Sequence, residues 1–323
     1  MAPPTDVAPR VRIVVPDDYP PVFTGSAAEA RLRALGDVTV HTGRGADDET
    51  ELARRIGNAD AVVNIRAHAR FTASVLAACP ELRLISIWGT GTDHVDLETC
   101  HARGIAVLST PGVNAHAVAE HTIALMLAAL RRIPATDADL RAGRWAREAT
   151  GQLEGRLVGV VGLGAVGRRV AHLAAAFGVR LLAHTQTPDK GRAAAVGARS
   201  VPLDALLRES DVVTLHLRLD DGTRGILGRD RLVLMKPGAW LINTARGALV
   251  DRAALIEALA ARRLGGAALD VFHDEPLPAG DALRTLPNVV LTPHVAGNTP
   301  EVIAAGLDLA VQNVERFLGV APG

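Results

Sequence analysis

The sequence predicts a protein of the α/β class that contains two doubly wound parallel-sheet domains. Short apolar runs rich in β-branched residues alternate with alanine-rich amphipathic stretches along the whole chain, as βαβ units require. A glycine-rich turn joins an apolar run to a helical pattern in the second half. The chain has 323 residues, of which 48% are hydrophobic, and this is enough for two separate cores.

The first third of the chain predicts a parallel sheet that is covered by helices on both faces. Its helices are expected near residues 26–35, 48–57 and 72–78. Its strands are expected at residues 11–15, 61–65, 82–87 and 105–108.

A long helix is predicted next, over residues 115–133, and Pro134 is expected to end it. Most faces of this helix are apolar, which predicts burial between domains or between subunits. We therefore expect a homodimer.

The second half repeats the alternation and predicts a second sheet, followed by a closing amphipathic helix over residues 300–318. If that helix returns to the first domain, the domains comprise residues 1–110 plus 299–323 and residues 111–298. The strand segments are expected at residues 156–164, 179–184, 211–217, 238–244, 264–271 and 288–293.

Composition and charge exclude several classes of protein. The formal net charge is +0, so no basic field attracts nucleic acid or an anionic membrane. The first residues lack a secretory signal, and the longest apolar helical run, residues 122–130, is too short to span a bilayer. Cys79 and Cys100 form no disulfide framework, so we expect a cytoplasmic protein. His116 and His121 lack the spacing of a zinc helix, and no metal site is predicted.

The glycine-rich turn contains Gly162, Gly164 and Gly167 in G-x-G-x-x-G spacing. The first glycine permits a tight turn, the second lets backbone amides approach a pyrophosphate, and the third lets helix and strand pack closely. A strand-to-helix turn without a ligand is the alternative. Because the flanking strand and helix patterns are both present, the motif favours dinucleotide binding.

Polar side chains follow three apolar runs: Arg246 in "NTARGALVD", Glu275 in "ALDVFHDEPLP" and His294 in "LTPHVAGN". Open α/β sheets bind ligands at the carboxyl ends of their strands, so the fold could bring the three together. Singly, each has an ordinary structural explanation as a surface arginine, a turn cap or a loop histidine. Their shared position after a strand indicates a catalytic site.

These segments resemble the NAD(P)-dependent D-2-hydroxyacid dehydrogenases, which include phosphoglycerate dehydrogenase and glyoxylate/hydroxypyruvate reductase. The resemblance implies a flavodoxin-like substrate domain, a Rossmann dinucleotide-binding domain and an active-site cleft between them. It covers nearly the whole chain and rests on "GTGTDHVDL" (89–97), "AEHTIALMLAALRRI" (119–133), "GLGAVGRRVA" (162–171), "MKPGAWLINTARGALVD" (235–251), "GGAALDVFHDEP" (265–276) and "LPNVVLTPHVAG" (286–297).

The resemblance implies that Arg246, Glu275 and His294 are the catalytic residues. Hydride delivery to a 2-keto acid leaves an alkoxide that needs a proton, and histidine is the side chain best suited to give it near neutral pH. A neighbouring carboxylate would favour the imidazolium and orient the ring. An arginine can pair with the substrate carboxylate while it polarises the ketone.

The resemblance also implies further contacts. Asp270 would contact the nicotinamide carboxamide or hold its own loop. The other implied cofactor contacts are Thr90, Gly162, Gly164, Ala165, Val166, Gly167, Thr244, Ala245, Arg246, His294 and Gly297. The implied substrate contacts are Arg66, His68, Trp88, Gly89 and Arg246.

Two departures from the family bear on the choice between NADP and NAD. No Asp or Glu occurs between Gly155 and Pro188, and Thr185 occupies the position where NAD-using members place Asp. Without that carboxylate nothing there repels a 2′-phosphate. Arg218, which follows Leu217 beside the implied adenine pocket, replaces the usual proline and could supply a cation or point to solvent. The sequence therefore favours NADP, although the arginine that follows this strand in strict NADP users is missing.

Other differences narrow the substrate. Formate dehydrogenases carry Gln at the position of Glu275, and phosphite dehydrogenases carry Lys at the position of Thr90. The chain ends soon after its closing helix, so the regulatory domain of long phosphoglycerate dehydrogenases is not expected. We expect a short-form reductase of glyoxylate, hydroxypyruvate or a similar 2-keto acid.

The alternative function is that of a dinucleotide-sensing corepressor on the same scaffold, although such corepressors carry long extensions. A mutase or hydrolase would need further acids or a nucleophile, and neither is found in this sequence.

Overall fold

The computed structural model describes residues 10–187 and 189–320, and the chain divides into two compact units. The first unit consists of the residues up to Val113 together with those from Thr299 onward. The second unit comprises Asn114–Asn298. The strands of the described residues are β1 (Val11–Val15), β2 (Gly36–Val40), β3 (Ala61–Asn64), β4 (Leu84–Ile87), β5 (Ala106–Ser109), β6 (Leu157–Val161), β7 (Arg180–His184), β8 (Ala198–Ser200), β9 (Val212–Leu215), β10 (Trp240–Asn243), β11 (Gly266–Leu269) and β12 (Val289–Leu291). Their α-helices are α1 (Ala27–Leu35), α2 (Glu49–Ile56), α3 (Ala73–Ala77), α4 (Leu97–Ala102), α5 (Ala115–Leu130), α6 (Ile133–Arg141), α7 (Ala165–Ala175), α8 (Lys190–Ala194), α9 (Leu203–Glu209), α10 (Arg229–Leu234), α11 (Arg252–Ala260) and α12 (Pro300–Leu318).

The first unit is built on five parallel strands in the order β2-β1-β3-β4-β5. The sequence patterns located four of these strands, and the edge strand β2 was not predicted. Its residues follow α1 without an intervening turn, and alternate positions of the strand are exposed. Gly36 permits this abrupt start, because a Cβ there would lie 2.2 Å from the carbonyl oxygen of Val11.

The closing helix α12 packs within the first unit. The hydroxyl of Ser86 on β4 donates to the carbonyl of Ala310 at 2.8 Å. Arg31 on α1 donates two hydrogen bonds of 2.6 Å to the buried carboxylate of Glu315. These contacts join the last helix to elements from the start of the chain, so the unit is discontinuous in sequence.

The second unit is built on seven parallel strands in the order β12-β11-β10-β9-β6-β7-β8. The first of these strands in the chain, β6, lies in the middle, and every one of its residues is buried. The chain then builds outward on both sides of β6, which creates a topological switch point. Ligands of doubly wound sheets bind beyond the carboxyl ends of the strands at such a point.

The predicted helix over residues 115–133 is wrong in extent. α5 ends at Leu130, and Arg132 adopts the left-handed conformation with a φ of 53°. Pro134 then lies in the first turn of α6, because proline is favoured at the start of a helix as well as after its end. The apolar face of α5 packs inside its own unit, where Ala119, Ile123 and Met126 share a core with β6 and α7.

The described helices include none that is both long and apolar enough to cross a bilayer.

Candidate active site

The glycine-rich turn links β6 to α7 and has the close backbone approach that its spacing predicts. Gly162 has a φ of 99°, which favours glycine, and a Cβ there would lie 2.6 Å from the carbonyl oxygen of His216. A Cβ on Gly167 would lie 1.9 Å from the carbonyl oxygen of Gly162. Both glycines are therefore required by packing inside the protein.

Gly164 differs because no protein atom lies within 4 Å of a Cβ added there. It is the N-cap of α7 and offers no capping side chain, so the first amides of the helix, including those of Ala165 and Val166, keep their donors for another group. Open space before a helix N-terminus suits a phosphate group. The residues of this turn fit the pyrophosphate of a dinucleotide.

At the end of β7 the polar side chains make local contacts. The hydroxyl of Thr185 donates to the carbonyl of Thr187 at 2.7 Å, and Nδ1 of His184 lies 3.3 Å from the carbonyl oxygen of Val201. Arg192 forms an ion pair of 3.3 Å with Asp189. This end of the sheet is thus neutral at Thr185, and the ion pair beside it is exposed to solvent.

Beyond β9, which β6 separates from β7 in the sheet, Leu217 is half-buried and Arg218 is exposed. The carbonyl of Arg218 accepts a hydrogen bond of 2.6 Å from the hydroxyl of Thr223. The backbone at Arg218 is therefore anchored while its guanidinium faces solvent.

Arg246 follows β10 in a turn that a buried asparagine organises. The side chain of Asn243, which is 1% exposed, donates to the carbonyl of Arg246 at 2.8 Å and accepts from the amide of Ala245 at 3.0 Å. Sequence reasoning missed Asn243, although a polar residue at the end of a buried strand was an available signal. Gly247 then packs directly on the loop after β11, where a Cβ would lie 2.2 Å from the carbonyl carbon of Phe272.

Glu275 and His294 meet at the ends of β11 and β12, where Nδ1 of His294 lies 2.6 Å from Oε2 of Glu275. The amide of Phe272 donates to Oε1 of the same carboxylate at 2.9 Å. Burial alone would raise the pKa of Glu275, but the hydrogen bond from His294 and the charge of Arg246 hold it below its ordinary value. The carboxylate is thus ionised and holds one ring nitrogen, which leaves Nε2 of His294 for proton transfer.

Asp270 follows β11, is fully buried and fixes the backbone that carries His294. Its two carboxylate oxygens accept from the amides of Val295 and Ala296, each at 2.9 Å, and from the hydroxyl of Thr292 at 2.6 Å. The carbonyl of Asp270 accepts from the amide of His294 at 2.8 Å. These contacts match the loop-holding role that was one of two expectations for Asp270.

Other predicted cofactor residues of the second unit lie at the same edge of the sheet. Thr244 is 8% exposed, and its hydroxyl lies 2.9 Å from that of Thr122 on α5. A Cβ on Gly297 would lie 3.3 Å from the side chain of Asn114, so the backbone there passes close to the start of α5. Of the residues described, no three His, Cys, Asp or Glu side chains form a group that could hold a metal ion.

The predicted substrate residues belong to the first unit. The guanidinium of Arg66 donates to the carbonyl of Pro20. Burial lowers the pKa of Arg66, although the negative charges of Asp18 and Asp17 act to raise it. His68 lies 3.2 Å from the carboxylate of Asp17. Both residues follow the carboxyl end of β3.

Trp88 and Gly89 follow β4. The indole of Trp88 packs flush on α12, because a Cβ on Gly306 would lie 1.6 Å from its Nε1. Gly89 has a φ of 133°, and its amide donates to the hydroxyl of Thr110 at 2.8 Å. The hydroxyl of Thr90 accepts from the amide of Gly112 at 3.2 Å. Within the first unit the predicted residues therefore share one edge of the sheet.

Comparison with known proteins identifies relatives that match most of the chain. The sequence model of the D-isomer specific 2-hydroxyacid dehydrogenase, NAD binding domain, matches residues 123–296. The glyoxylate reductase of Aeropyrum pernix is 40% identical over 257 residues, which are 77% of each chain. The D-3-phosphoglycerate dehydrogenase of Archaeoglobus fulgidus is 38% identical over 289 residues, which cover 89% of this chain and 54% of the relative. This chain therefore spans about half the length of that relative.

A solved structure shows the same fold. The NADPH-dependent glyoxylate/hydroxypyruvate reductase of Sinorhizobium meliloti, in complex with NADP and malonate, superposes with a TM-score of 0.84 and 32% sequence identity. The match covers 96% of this chain and 94% of the reductase.

Proposed function

Because this chain belongs to the D-isomer specific 2-hydroxyacid dehydrogenase family, we propose that it transfers a hydride between a nicotinamide dinucleotide and a small 2-keto or D-2-hydroxy acid. The observation that carries the proposal is the pairing of His294 with Glu275 at 2.6 Å beyond the strand ends. The charge of Arg246 acts on the same carboxylate. A proton relay of this kind is what a reductase needs and a sensing protein does not.

The three side chains divide the work of ketone reduction. A nicotinamide dinucleotide held by the second unit would supply the hydride for the C2 carbon of the keto acid. Arg246 pairs with the substrate carboxylate and stabilises the negative charge that develops on the ketone oxygen. His294, as imidazolium, gives its Nε2 proton to that oxygen, while Glu275 stabilises the charged ring and holds its orientation. In the reverse direction neutral His294 accepts the hydroxyl proton.

The second unit would hold the dinucleotide, with its pyrophosphate on the amides after Gly164 and its ribose beside Thr185. We propose NADP as the preferred form. Thr185 brings no negative charge to the ribose, and the exposed guanidinium of Arg218, beyond β9, can offer a positive charge to an anion. The NADP complex of the Sinorhizobium meliloti reductase supports this preference.

We propose glyoxylate or hydroxypyruvate as the substrate class, since two similar proteins are named as reductases of these acids. Arg66, His68, Trp88 and Gly89 remain predicted substrate contacts.

We also propose a homodimer, with a second copy covering the apolar surface of α6 and the segment after it. The side chains of Ile133, Leu140 and Trp145 are 53%, 57% and 80% exposed. A monomer in sedimentation equilibrium would contradict this part of the proposal.

The test is a steady-state assay of the purified protein with NADPH and with NADH, each combined with glyoxylate, hydroxypyruvate or phosphohydroxypyruvate. We expect turnover of the first two acids and a higher kcat/KM with NADPH. The control is a mixture of NADP with formate, which should give no turnover. Absence of turnover with every keto acid would overturn the enzymatic proposal, and a clear preference for NADH would overturn the choice of cofactor alone.

A further inference from the structure

Two consecutive side chains of α5 reach the two turns that carry the proposed catalytic arginine and histidine. The hydroxyl of Thr122 lies 2.9 Å from that of Thr244, in the turn after β10. Nε2 of His121 lies 3.0 Å from the hydroxyl of Thr292, in the turn after β12. Since β11 lies between β10 and β12, α5 spans three adjacent strand ends.

The proton of the Thr292 hydroxyl can be assigned. Thr292 lies 2.6 Å from Oδ1 of Asp270, which as a carboxylate only accepts, so the Thr292 hydroxyl must donate there. Its oxygen can then only accept from His121, which requires a proton on Nε2 of His121. Nε2 also lies 3.6 Å from Oδ1 of Asp270, a separation that favours a donor facing the carboxylate.

We propose that His121 is a positioning residue for the catalytic histidine, acting through the chain Nε2–H of His121, hydroxyl of Thr292 and carboxylate of Asp270. The inference rests on the proposed function of His294. It adds a residue of α5 to the groups that hold the turn of His294 in place.

Such support matters because His294 has an unfavourable backbone conformation. Its φ of 54° lies in the left-handed region, which is strained for a residue other than glycine. Asp270 holds this conformation through the loop amides after His294. His121 fixes the rotamer of Thr292 and keeps the Asp270 carboxylate aimed at those amides. The side chain of His121 is only 24% exposed, so water replaces its hydrogen bond poorly.

The test compares three substitutions at one position. His121→Gln keeps a donor at nearly the place of Nε2, His121→Asn draws the donor back, and His121→Leu removes it. We expect kcat for glyoxylate reduction to fall about tenfold in the Leu and Asn variants and to stay within about twofold in the Gln variant. The dissociation constant of NADPH should not change. His116→Leu, at an exposed position in the first turn of the same helix, should match the wild type.

A second measurement does not depend on turnover. Nitrogen NMR of labelled protein should find Nε2 of His121 protonated across the stable pH range. Amide hydrogen exchange in the segment 292–298 should quicken in the Leu variant and recover in the Gln variant. An unprotonated Nε2, or equal exchange in all variants, would overturn the role of His121. If Nε2 is protonated and exchange quickens as expected, but the wild-type protein turns over no keto acid, the proposed function is overturned instead.

Discussion

The carboxyl ends of β10–β12 and the carboxyl end of β7 belong to one sheet but hold their side chains in different ways. Beyond β10–β12, the buried side chains of Asn243 and Asp270 fix the turns of Arg246 and His294. Beyond β7, the hydroxyl of Thr185 donates to the nearby carbonyl of Thr187, and the side chains of Gln186 and Thr187 are exposed.

The difference separates two tasks of one proposed binding site. Proton transfer needs groups placed within a fraction of an ångström, so the turns beyond β10–β12 are held by buried hydrogen bonds that any misplacement would break. Recognition of the ribose needs only a suitable charge near an exposed hydroxyl or phosphate. We therefore expect substitutions beyond β10–β12 to affect the rate strongly, and those beyond β7 to affect the choice of dinucleotide.

The largest effect is expected for His294→Ala. Removal of the proton donor should lower kcat for glyoxylate reduction by about 10²–10⁴-fold. The dissociation constant of NADPH, followed by fluorescence quenching, should change little because the glycine turn is untouched. A variant that kept its rate would show that the pair formed with Glu275 is structural.

The sequence predicted the members of this strand-end site better than it predicted their support. Arg246, Glu275 and His294 could be found because each follows an apolar strand, and the family resemblance selects the same three. Asn243 bonds to residues two and three positions away, and its place at the end of a buried strand was a signal that went unused. The hydrogen bond of His121 could not be found, because Thr292 is 171 residues away in the sequence and comes near only when the chain folds.

The fold shows the same pattern at a larger scale. The parallel strands could be predicted from apolar runs, and the two-sheet α/β class is confirmed by the structure. The end of α5 could not be predicted, because it depends on a left-handed arginine, Arg132, and a proline can begin a helix as well as follow one. The edge strands β2 and β8 were not predicted, because the exposed residues Asp37 and Thr39 in β2 and Arg199 in β8 interrupt the apolar pattern.

A smaller effect, which would sharpen the contrast, is expected for Thr185→Asp. A carboxylate at the end of β7 would accept from the ribose hydroxyls of NADH and repel the 2′-phosphate of NADPH. The kcat/KM with NADPH should fall by about 10–100-fold, while the value with NADH stays level or rises. An asparagine side chain has nearly the shape of aspartate but no charge, so Thr185→Asn serves as the control. Equal losses in both variants would mean that shape, not charge, governs this position.

The glycine turn between the two regions offers a test by pH. His216 packs against this turn, and burial lowers its pKa to about 3. The unfolded chain therefore binds one more proton than the folded chain between about pH 6.5 and pH 3. The stability due to this neutral histidine is full above pH 6.5 and is lost as pH falls toward 3.

As pH falls from about 6.5 to 3, His216 alone should lower the free energy of unfolding of the wild type by at most about 1.4 kcal/mol per pH unit. Urea titrations at several pH values measure the slope. His216→Asn should show a shallower slope than the wild type, even if its stability at neutral pH is lower. Identical slopes would mean that His216 is not kept neutral by burial.

The smallest effect is expected for Arg218→Ala. The guanidinium is exposed, so its attraction to a 2′-phosphate is screened by water and salt and contributes no more than about 1 kcal/mol. The kcat/KM with NADPH should fall about twofold to fivefold, more at low than at high ionic strength, with no change for NADH. Arg224→Ala, at another exposed arginine of the same loop, is the matched control. If both variants lose equally with NADPH, the loop acts through its general positive charge; if Arg218→Ala loses nothing, the neutral end of β7 alone decides how far NADP is accepted.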